Sequence, residues 1–165
     1  AKIATGSIAT GALATNVLVA GNISGDISTF VPFENATDIA FDSDNLQNHQ
    51  IAQVTLSANS AGLSHRPLIL FQVTLLVAAN LMSTSANVFD NAFIVKVRRG
   101  SSSGTVILTQ TQSPQARDAH TITIPVLVLD SATTSSQTYT ITMSGSEAVE
   151  DGTVLNTEGV VIGIR

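Results

Sequence analysis

Hydrophobic and polar residues alternate along most of the chain after about residue 36. In HQIAQVTLSAN, for example, Ala52, Val54 and Leu56 share one face, whereas Gln53 and Thr55 share the other. The segments AHTITIPVLVLD and QTYTITMSG show the same period of two, in residue types that favour strands. No stretch of good helix formers shows the 3.6-residue period of an amphipathic helix. The pattern therefore predicts half-buried strands.

Clusters of Gly, Ser, Asp and Asn divide this region into about eight such runs. Strands at this regular spacing, with no helix between them, are typical of antiparallel sandwiches. The sequence thus predicts an all-β fold, a jelly-roll-type β-sandwich of about eight strands. The predicted strands cover residues 37–42, 50–58, 67–79, 92–99, 104–111, 119–130, 137–145 and 153–164.

Two of the predicted strands carry apolar residues on both faces. Leu127 and Leu129 lie on the face opposite Ile124, and Leu70 and Leu76 lie opposite the main apolar face of their own strand. The outer face of a two-sheet sandwich normally meets water. We therefore predict that a neighbouring subunit covers these four leucines.

The first 25 residues follow another pattern, with an aliphatic residue at every fifth position. Neither a helix nor a strand repeats every five residues, so these side chains do not line one face of either. We interpret residues 1–30 as an extended N-terminal arm that packs on a partner, and 31–165 as the sandwich domain. The alternative is a low-complexity tail, although such tails are usually richer in charge. The aliphatic residues that would contact the partner are Ile3, Ile8, Leu13, Leu18 and Ile23.

The composition narrows the classes of function. The 165 residues carry a net charge of −5, but only 12% of them are charged and 44% are hydrophobic. A surface so poor in charge is easier to explain if other copies or partners cover much of it. The lack of a basic surplus argues against a nucleic-acid partner, and no apolar run is long enough to span a membrane. Cysteine is absent, which excludes disulfides and thiolate metal sites.

One segment matches the letters of a hydrolase motif. Gly100–Gly104 reads G-x-S-x-G, with Asp118 and His120 following in the order of a catalytic triad around Ser102. That motif needs a strand-to-helix turn to expose its serine, whereas this segment joins two predicted strands. We therefore expect an ordinary hairpin and no enzymatic activity.

The acidic and histidine residues do not form a recognisable metal motif. Asp38, Asp42 and Asp44 are close in sequence and carry oxygen ligands of the kind that calcium prefers. Their order is not that of an EF-hand loop, so we favour a solvated turn over a cation site. The histidines share no metal-ligand spacing, and we expect strand-edge or interface positions for the first and last of them. No metal or cofactor is predicted; the three histidines are His49, His65 and His120.

Three basic residues, Lys96, Arg98 and Arg99, cluster at the end of one predicted strand. Lys96 and Arg98 share its outer face with Ile94, and the alternating valines point inward. The simplest interpretation is a solvated strand end. The alternative is a contact with an acidic patch on a neighbouring chain.

The opening segment KIATGSIATGALAT resembles the I-A-x-G-A-I-type repeats of bacteriophage fibre and virion-surface proteins, and the repeat covers residues 2–24. The strand-rich remainder resembles the trimeric jelly-roll heads that viruses share with the complement and tumour-necrosis-factor families. The resemblance implies a non-enzymatic structural protein of the virion, a homotrimer on the capsid surface. Its partner would be the major capsid protein or another virion protein.

Among virion roles, the short chain favours a capsid decoration (cement) protein over a tail fibre, which normally carries a long shaft. A decoration protein stabilises the shell by burying area across the joints between capsid subunits. One alternative is the receptor-binding tip of a tail or head fibre, with recognition loops near 59–66, 100–104 and 131–136. Others are a secreted carbohydrate-binding module and an esterase that uses Ser102.

Overall fold

The computed structural model describes residues 29–42, 48–59, 62–77, 93–112, 120–145 and 151–164. This part of the chain consists of strands, turns and irregular segments, and it contains no helix. Its nine strands are β1 (Thr29–Asn35), β2 (Ile39–Asp42), β3 (His49–Leu56), β4 (Arg66–Val77), β5 (Phe93–Arg99), β6 (Thr105–Gln112), β7 (His120–Leu129), β8 (Gln137–Gly145) and β9 (Asp151–Ile164).

The strands form two antiparallel sheets. Sheet A has the order β1-β9-β4-β7, with β2 also paired to β9, and sheet B has the order β3-β8-β5-β6. β1 and β2 pair with successive segments of β9, so together they act as one interrupted strand. Counted that way, the eight strands have the orders 1-8-3-6 and 2-7-4-5. The first four strands pair with the last four in reverse order: 1 with 8, 2 with 7, 3 with 6 and 4 with 5. This is a jelly roll, and the predicted fold class is confirmed.

The strand ends agree with the predicted ones to within about two residues, but β1 is missing from the prediction. β1 includes Pro32, which cannot donate a ladder hydrogen bond and therefore weakens the strand signal in the sequence. The strand tolerates this residue because β1 lies at the edge of sheet A. Thr29 and Phe30, which the sequence analysis assigned to the arm, begin this strand.

The core lies between the sheets and is built from the inward-facing residues of both. Aliphatic side chains dominate it, as the alternation predicts. A bulge in β3 between Gln50 and Ala52 interrupts the period, so that Ile51 and Ala52 are both buried. The largest fully buried side chains are Tyr139, Phe93, Ile51, Leu56, Ile69, Leu75, Ile124, Ile141, Met143, Val73 and Val95.

Gly159 in β9 allows two aromatic residues to approach each other across the strand. Its register partners are Phe33 in β1 and Phe71 in β4, whose ring centroids lie 6.2 Å apart. A Cβ atom at this position would lie 2.2 Å from the Leu70 carbonyl oxygen and 2.4 Å from the Phe71 Cβ. The missing side chain is therefore a requirement of the packing between β9 and β4.

An ion pair joins the two sheets at one end of the sandwich. Arg99 at the end of β5 donates two hydrogen bonds to the carboxylate of Asp130, which directly follows β7. Tyr139 in β8 donates a third from its hydroxyl, at 2.9 Å. Burial by itself would raise the pKa of Asp130, but the bonds from Arg99, Ser131 N–H and Tyr139 together hold that pKa below its ordinary value.

Candidate interaction surface

One end of the outer face of sheet A is apolar from edge to edge. The side chains that alternate with the buried residues of its strands point away from the core, and the register aligns them in two rows. We call this surface the apolar patch. It comprises Phe30, Ile162, Leu68 and Leu129 in the first row, Pro32, Val160, Leu70 and Leu127 in the second, and Pro125 beside them.

Several members of the apolar patch are strongly exposed. Phe30 is 64% exposed, Leu127 63% and Leu129 43%. Isolated exposed leucines are common in proteins, but a contiguous apolar surface that crosses four strands is not. Shallow grooves on this face are lined by Leu70, Leu127 and Val160 of the patch and by Glu158 beside it. The patch thus has the form of a surface that another molecule covers.

Polar side chains bound the apolar patch along the sheet. Glu34 and Glu158 are register partners in the row next to the patch, and Gln72 in the same row donates a hydrogen bond to Glu158 Oε1. Threonines, Thr74 and Thr123, occupy the following row of β4 and β7. An apolar centre with a polar rim is the usual anatomy of a protein interface.

The structure brings three of the four predicted interface leucines together. Leu70, Leu127 and Leu129 belong to the apolar patch, whereas Leu76 lies beyond the polar rim, about 20 Å further along β4. Leu76 is 40% exposed but is flanked by Thr121 in its own row. All four are at least partly exposed on the outer face, but Leu76 is not part of the same surface.

The contributions of β1 and β9 to the apolar patch were not predicted from the sequence. Phe30 and Pro32 fall in a strand that was not predicted. Val160 and Ile162 belong to the run GVVIGI, whose apolar residues on both faces carry the same signal that singled out the leucines of β4 and β7. The predicted contact residues of the arm, Ile3, Ile8, Leu13, Leu18 and Ile23, lie outside the described residues.

The Gly100–Gly104 segment is a hairpin between β5 and β6, which confirms the predicted local structure. Gly100 has a positive φ of 81°, and the Gly104 N–H donates to the Ser101 carbonyl oxygen at 2.8 Å. Ser102 is exposed at the tip of this strand-turn-strand connection. A nucleophile elbow would require a strand-to-helix turn instead.

Of the two other triad-like residues, the structure describes His120, which is not near Ser102. Asp130, at the end of β7, binds Arg99 beside the hairpin, whereas His120 begins β7 about 30 Å away, at the other end of the strand. Asp118 lies outside the described residues. The structure therefore does not bring Ser102 and His120 into one site.

The acidic residues near β2 are spread along a strand. Asp38 directly precedes β2 and Asp42 ends it, so their Cα atoms are about 13 Å apart. The register places Asp42 opposite Asp151 of β9, and Asp44 lies outside the described residues. Within the described ranges, no three His, Cys, Asp or Glu residues are grouped as metal ligands.

The histidines occupy separate places. His49 and His120 begin β3 and β7, which are edge strands of their sheets, as predicted. His65 is 6% exposed and exchanges two backbone hydrogen bonds with Thr133.

In the part of the chain that the structure describes, no helix is long and apolar enough to cross a membrane.

No protein-family model and no curated protein matches the chain. Among solved structures, it is similar to a protein of the infectious bursal disease virus Gt strain, with 12% identity, a TM-score of 0.49, and 84% of this chain and 34% of that one covered. It is also similar to VP2 of that virus in a subviral particle, with 12% identity and a TM-score of 0.40 over 85% of this chain and 42% of that one. A third similar structure is CsCBM6-3 from Clostridium stercorarium in complex with cellobiose, with 13% identity, a TM-score of 0.34, and 86% and 95% of the two chains covered. The chain spans about a third of the length of the first viral protein.

Proposed function

We propose that this protein is a structural protein of a virus particle, and that it binds the outside of the shell as a homotrimeric capsid decoration protein. The observation that carries the proposal is the apolar patch on the outer face of sheet A. The resemblance of residues 2–24 to virion-surface repeats directs the choice towards a virion role.

The apolar patch supports association because the sandwich does not use it for its own folding. Its residues lie outside the core, which the inner faces of the two sheets already complete. Burial of a large, fully exposed apolar side chain contributes about 1.5–3 kcal/mol to the free energy of association. Burial of Phe30, Leu127 and Leu129 would therefore supply a substantial part of the binding energy of a stable interface. In the proposed trimer, this patch contacts the neighbouring copy.

The oligomeric state is tested by measuring the mass in solution for the wild type and for Leu127→Asp. We expect the wild type to have about three times the chain mass of 17.1 kDa, and the variant to have a lower mass because a carboxylate cannot be buried in the patch without a partner. Thr123→Asp is the matched control, since Thr123 is exposed on the same strand and face but lies outside the patch. A monomeric wild type, or an unchanged mass for Leu127→Asp, would contradict the proposal.

In the proposed decoration role, the arm with its five-residue repeat supplies much of the contact with the capsid. Binding of the purified protein to empty shells of the major capsid protein tests this, in comparison with a chain that lacks residues 1–25. We expect the full chain to bind and the truncated chain to lose binding. Undiminished binding of the truncated chain would remove the arm from the interface. Binding to host cells through the loops near 100–104 and 131–136 would instead favour a fibre tip.

We also propose that the protein has no enzymatic activity. Ser102 is an exposed turn residue, and its neighbours Ser101 and Ser103 hydrogen-bond to each other through their hydroxyls at 3.0 Å. An ester hydrolysis that Ser102→Ala abolishes would overturn this part of the proposal.

A further inference from the structure

The outer face of sheet B carries a polar cluster whose side chains are unusually well buried for a surface position. Thr140 and Thr142 of β8 are fully buried, and Arg98 of β5 is only 8% exposed. Arg98 Nε lies 3.4 Å from Thr142 Oγ1, so the guanidinium packs over the strand. The interpretation of Arg98 as part of a solvated strand end is therefore wrong.

Two cations in this cluster share one neutral acceptor. Arg98 Nη2 donates to Asn48 Oδ1 at 2.9 Å, and Lys96 Nζ donates to the same oxygen at 3.4 Å. Asn48 has a positive φ of 52°, and its N–H donates to Ser144 Oγ at 2.9 Å. The backbone conformation of Asn48 thus places its side-chain oxygen, Oδ1, within reach of both cations. The two donor nitrogens that bind Oδ1 lie within about 6 Å of each other.

The cluster has positive charge without a neutralising acid among the described residues. The acceptors of Arg98 are Thr142 Oγ1, the Gly104 carbonyl oxygen and Asn48 Oδ1, all of them neutral. Towards the described residues, these bonds use three of the five guanidinium donors, and Lys96 uses one of its three. By contrast, Arg99 next to them has the carboxylate of Asp130. Two mutually repelling cations with donors to spare are a favourable environment for an anion.

We propose that Lys96 and Arg98 form a binding site for an oxyanion. The ligand chemistry is that of a carboxylate or a tetrahedral anion such as sulfate, which accepts charge-assisted hydrogen bonds from both side chains. The source is either a carboxylate side chain of a contacting protein or a small free anion. Because the site lies on sheet B, it is independent of the apolar patch on sheet A and of the function proposed for it.

The test is the thermal unfolding midpoint of the whole protein in sodium sulfate and in sodium glutarate, each compared with sodium chloride at equal ionic strength. Sulfate represents the free tetrahedral anion, and glutarate represents a carboxylate side chain. We expect a saturable rise of about 3 °C with at least one of them, because a ligand that binds only the folded state stabilises it. The anion with the lower half-saturating concentration identifies the source.

Two variants separate binding from the general effects of salt. Lys96→Met removes one cation while keeping an unbranched stem, and it leaves the packing of Arg98 in place. Arg66→Met is the matched control, because Arg66 is exposed at the start of β4 on the other sheet. We expect Lys96→Met to lose the saturable rise and Arg66→Met to keep it. No rise above that in chloride for the wild type, or an equal rise in Lys96→Met, would overturn the proposal.

Discussion

Asp130 stays charged inside the sandwich because three donors surround its carboxylate. Arg99, Tyr139 and the N–H of Ser131 each bond to it, and the Asp130 N–H in turn donates to the Pro67 carbonyl oxygen at 2.8 Å. Burial, together with the hydrogen bond to the charged carboxylate of Asp130, raises the pKa of Tyr139, so that its hydroxyl stays protonated and acts as a donor. A single acidic side chain thus links the end of sheet A to two strands of sheet B.

Asp130→Asn is expected to lower the free energy of unfolding by about 2 kcal/mol at pH 7, because it removes the charge that Arg99 and Tyr139 bind. The value is moderate since Arg99 is 35% exposed and water screens the pair. Urea unfolding of the wild type and the variant measures it.

The same substitution has a predicted pH dependence. The pKa of Asp130 is lower in the folded state than in the unfolded state, so its contribution is complete above the unfolded value of about 3.9 and is lost as the pH falls through the folded value. We expect the difference between the wild type and Asp130→Asn to shrink towards pH 3. Asp38→Asn, at an exposed position, is the control. An equal difference at both pH values would show that the charge of Asp130 is not the cause.

At the scale of single elements, β9 organises sheet A. It pairs with β1 and β2 on one side and with β4 on the other, so that this late strand lies between strands from the first half of the chain. Gly159 of β9 lies directly opposite Phe33 of β1 on one side and Phe71 of β4 on the other. The close approach of β9 to β4 at this position depends on the absence of a side chain.

Gly159→Ala is expected to destabilise the protein by about 1–3 kcal/mol, because the added methyl group meets the backbone and Cβ atoms of β4, which cannot rotate away. Gly163→Ala is the matched control on the same strand. Its Cβ would come no closer than 3.3 Å, and the nearest atom belongs to the side chain of His65. Thermal unfolding of both variants measures the difference. Equal losses would show that the added volume at Gly159 is not responsible.

The whole molecule presents two chemically different faces. The outer face of sheet A carries the apolar patch with an acidic rim, and the outer face of sheet B carries hydroxyls and the Lys96–Arg98 cluster. Within the part of the chain that the structure describes, the first alone has enough exposed apolar surface to drive association. The face of sheet A is therefore the one that we assign to contacts between copies.

If the copies associate through the apolar patch, the unfolding midpoint rises with protein concentration, because association stabilises only the folded chains. We expect this rise in the wild type over about a hundredfold range of concentration and its loss in Leu127→Asp. Val126→Asp, one residue away on the buried face, is expected to prevent folding at any concentration. Calorimetry measures the midpoints, and a concentration-independent wild type would contradict the assignment.

The alternation of residue types by itself determined every strand but β1, the all-β sandwich class, the aliphatic core and the outward position of Leu127 and Leu129. These features depend on the two-residue period of a strand, which is a local property and can therefore be recognised within a single segment. β1 could not be predicted from the sequence, because Pro32 interrupts its strand pattern and only the pairing with β9 makes it a strand.

Only the tertiary structure decided which side chains meet. Phe30 and Leu129 lie in one row of the apolar patch because β1 pairs with β9, β9 with β4, and β4 with β7. Likewise, Arg99 binds Asp130, and Lys96 and Arg98 share Asn48, across 31, 48 and 50 residues of sequence. Such contacts depend on strand order and register, which are set jointly by the whole core, and no single segment contains that information.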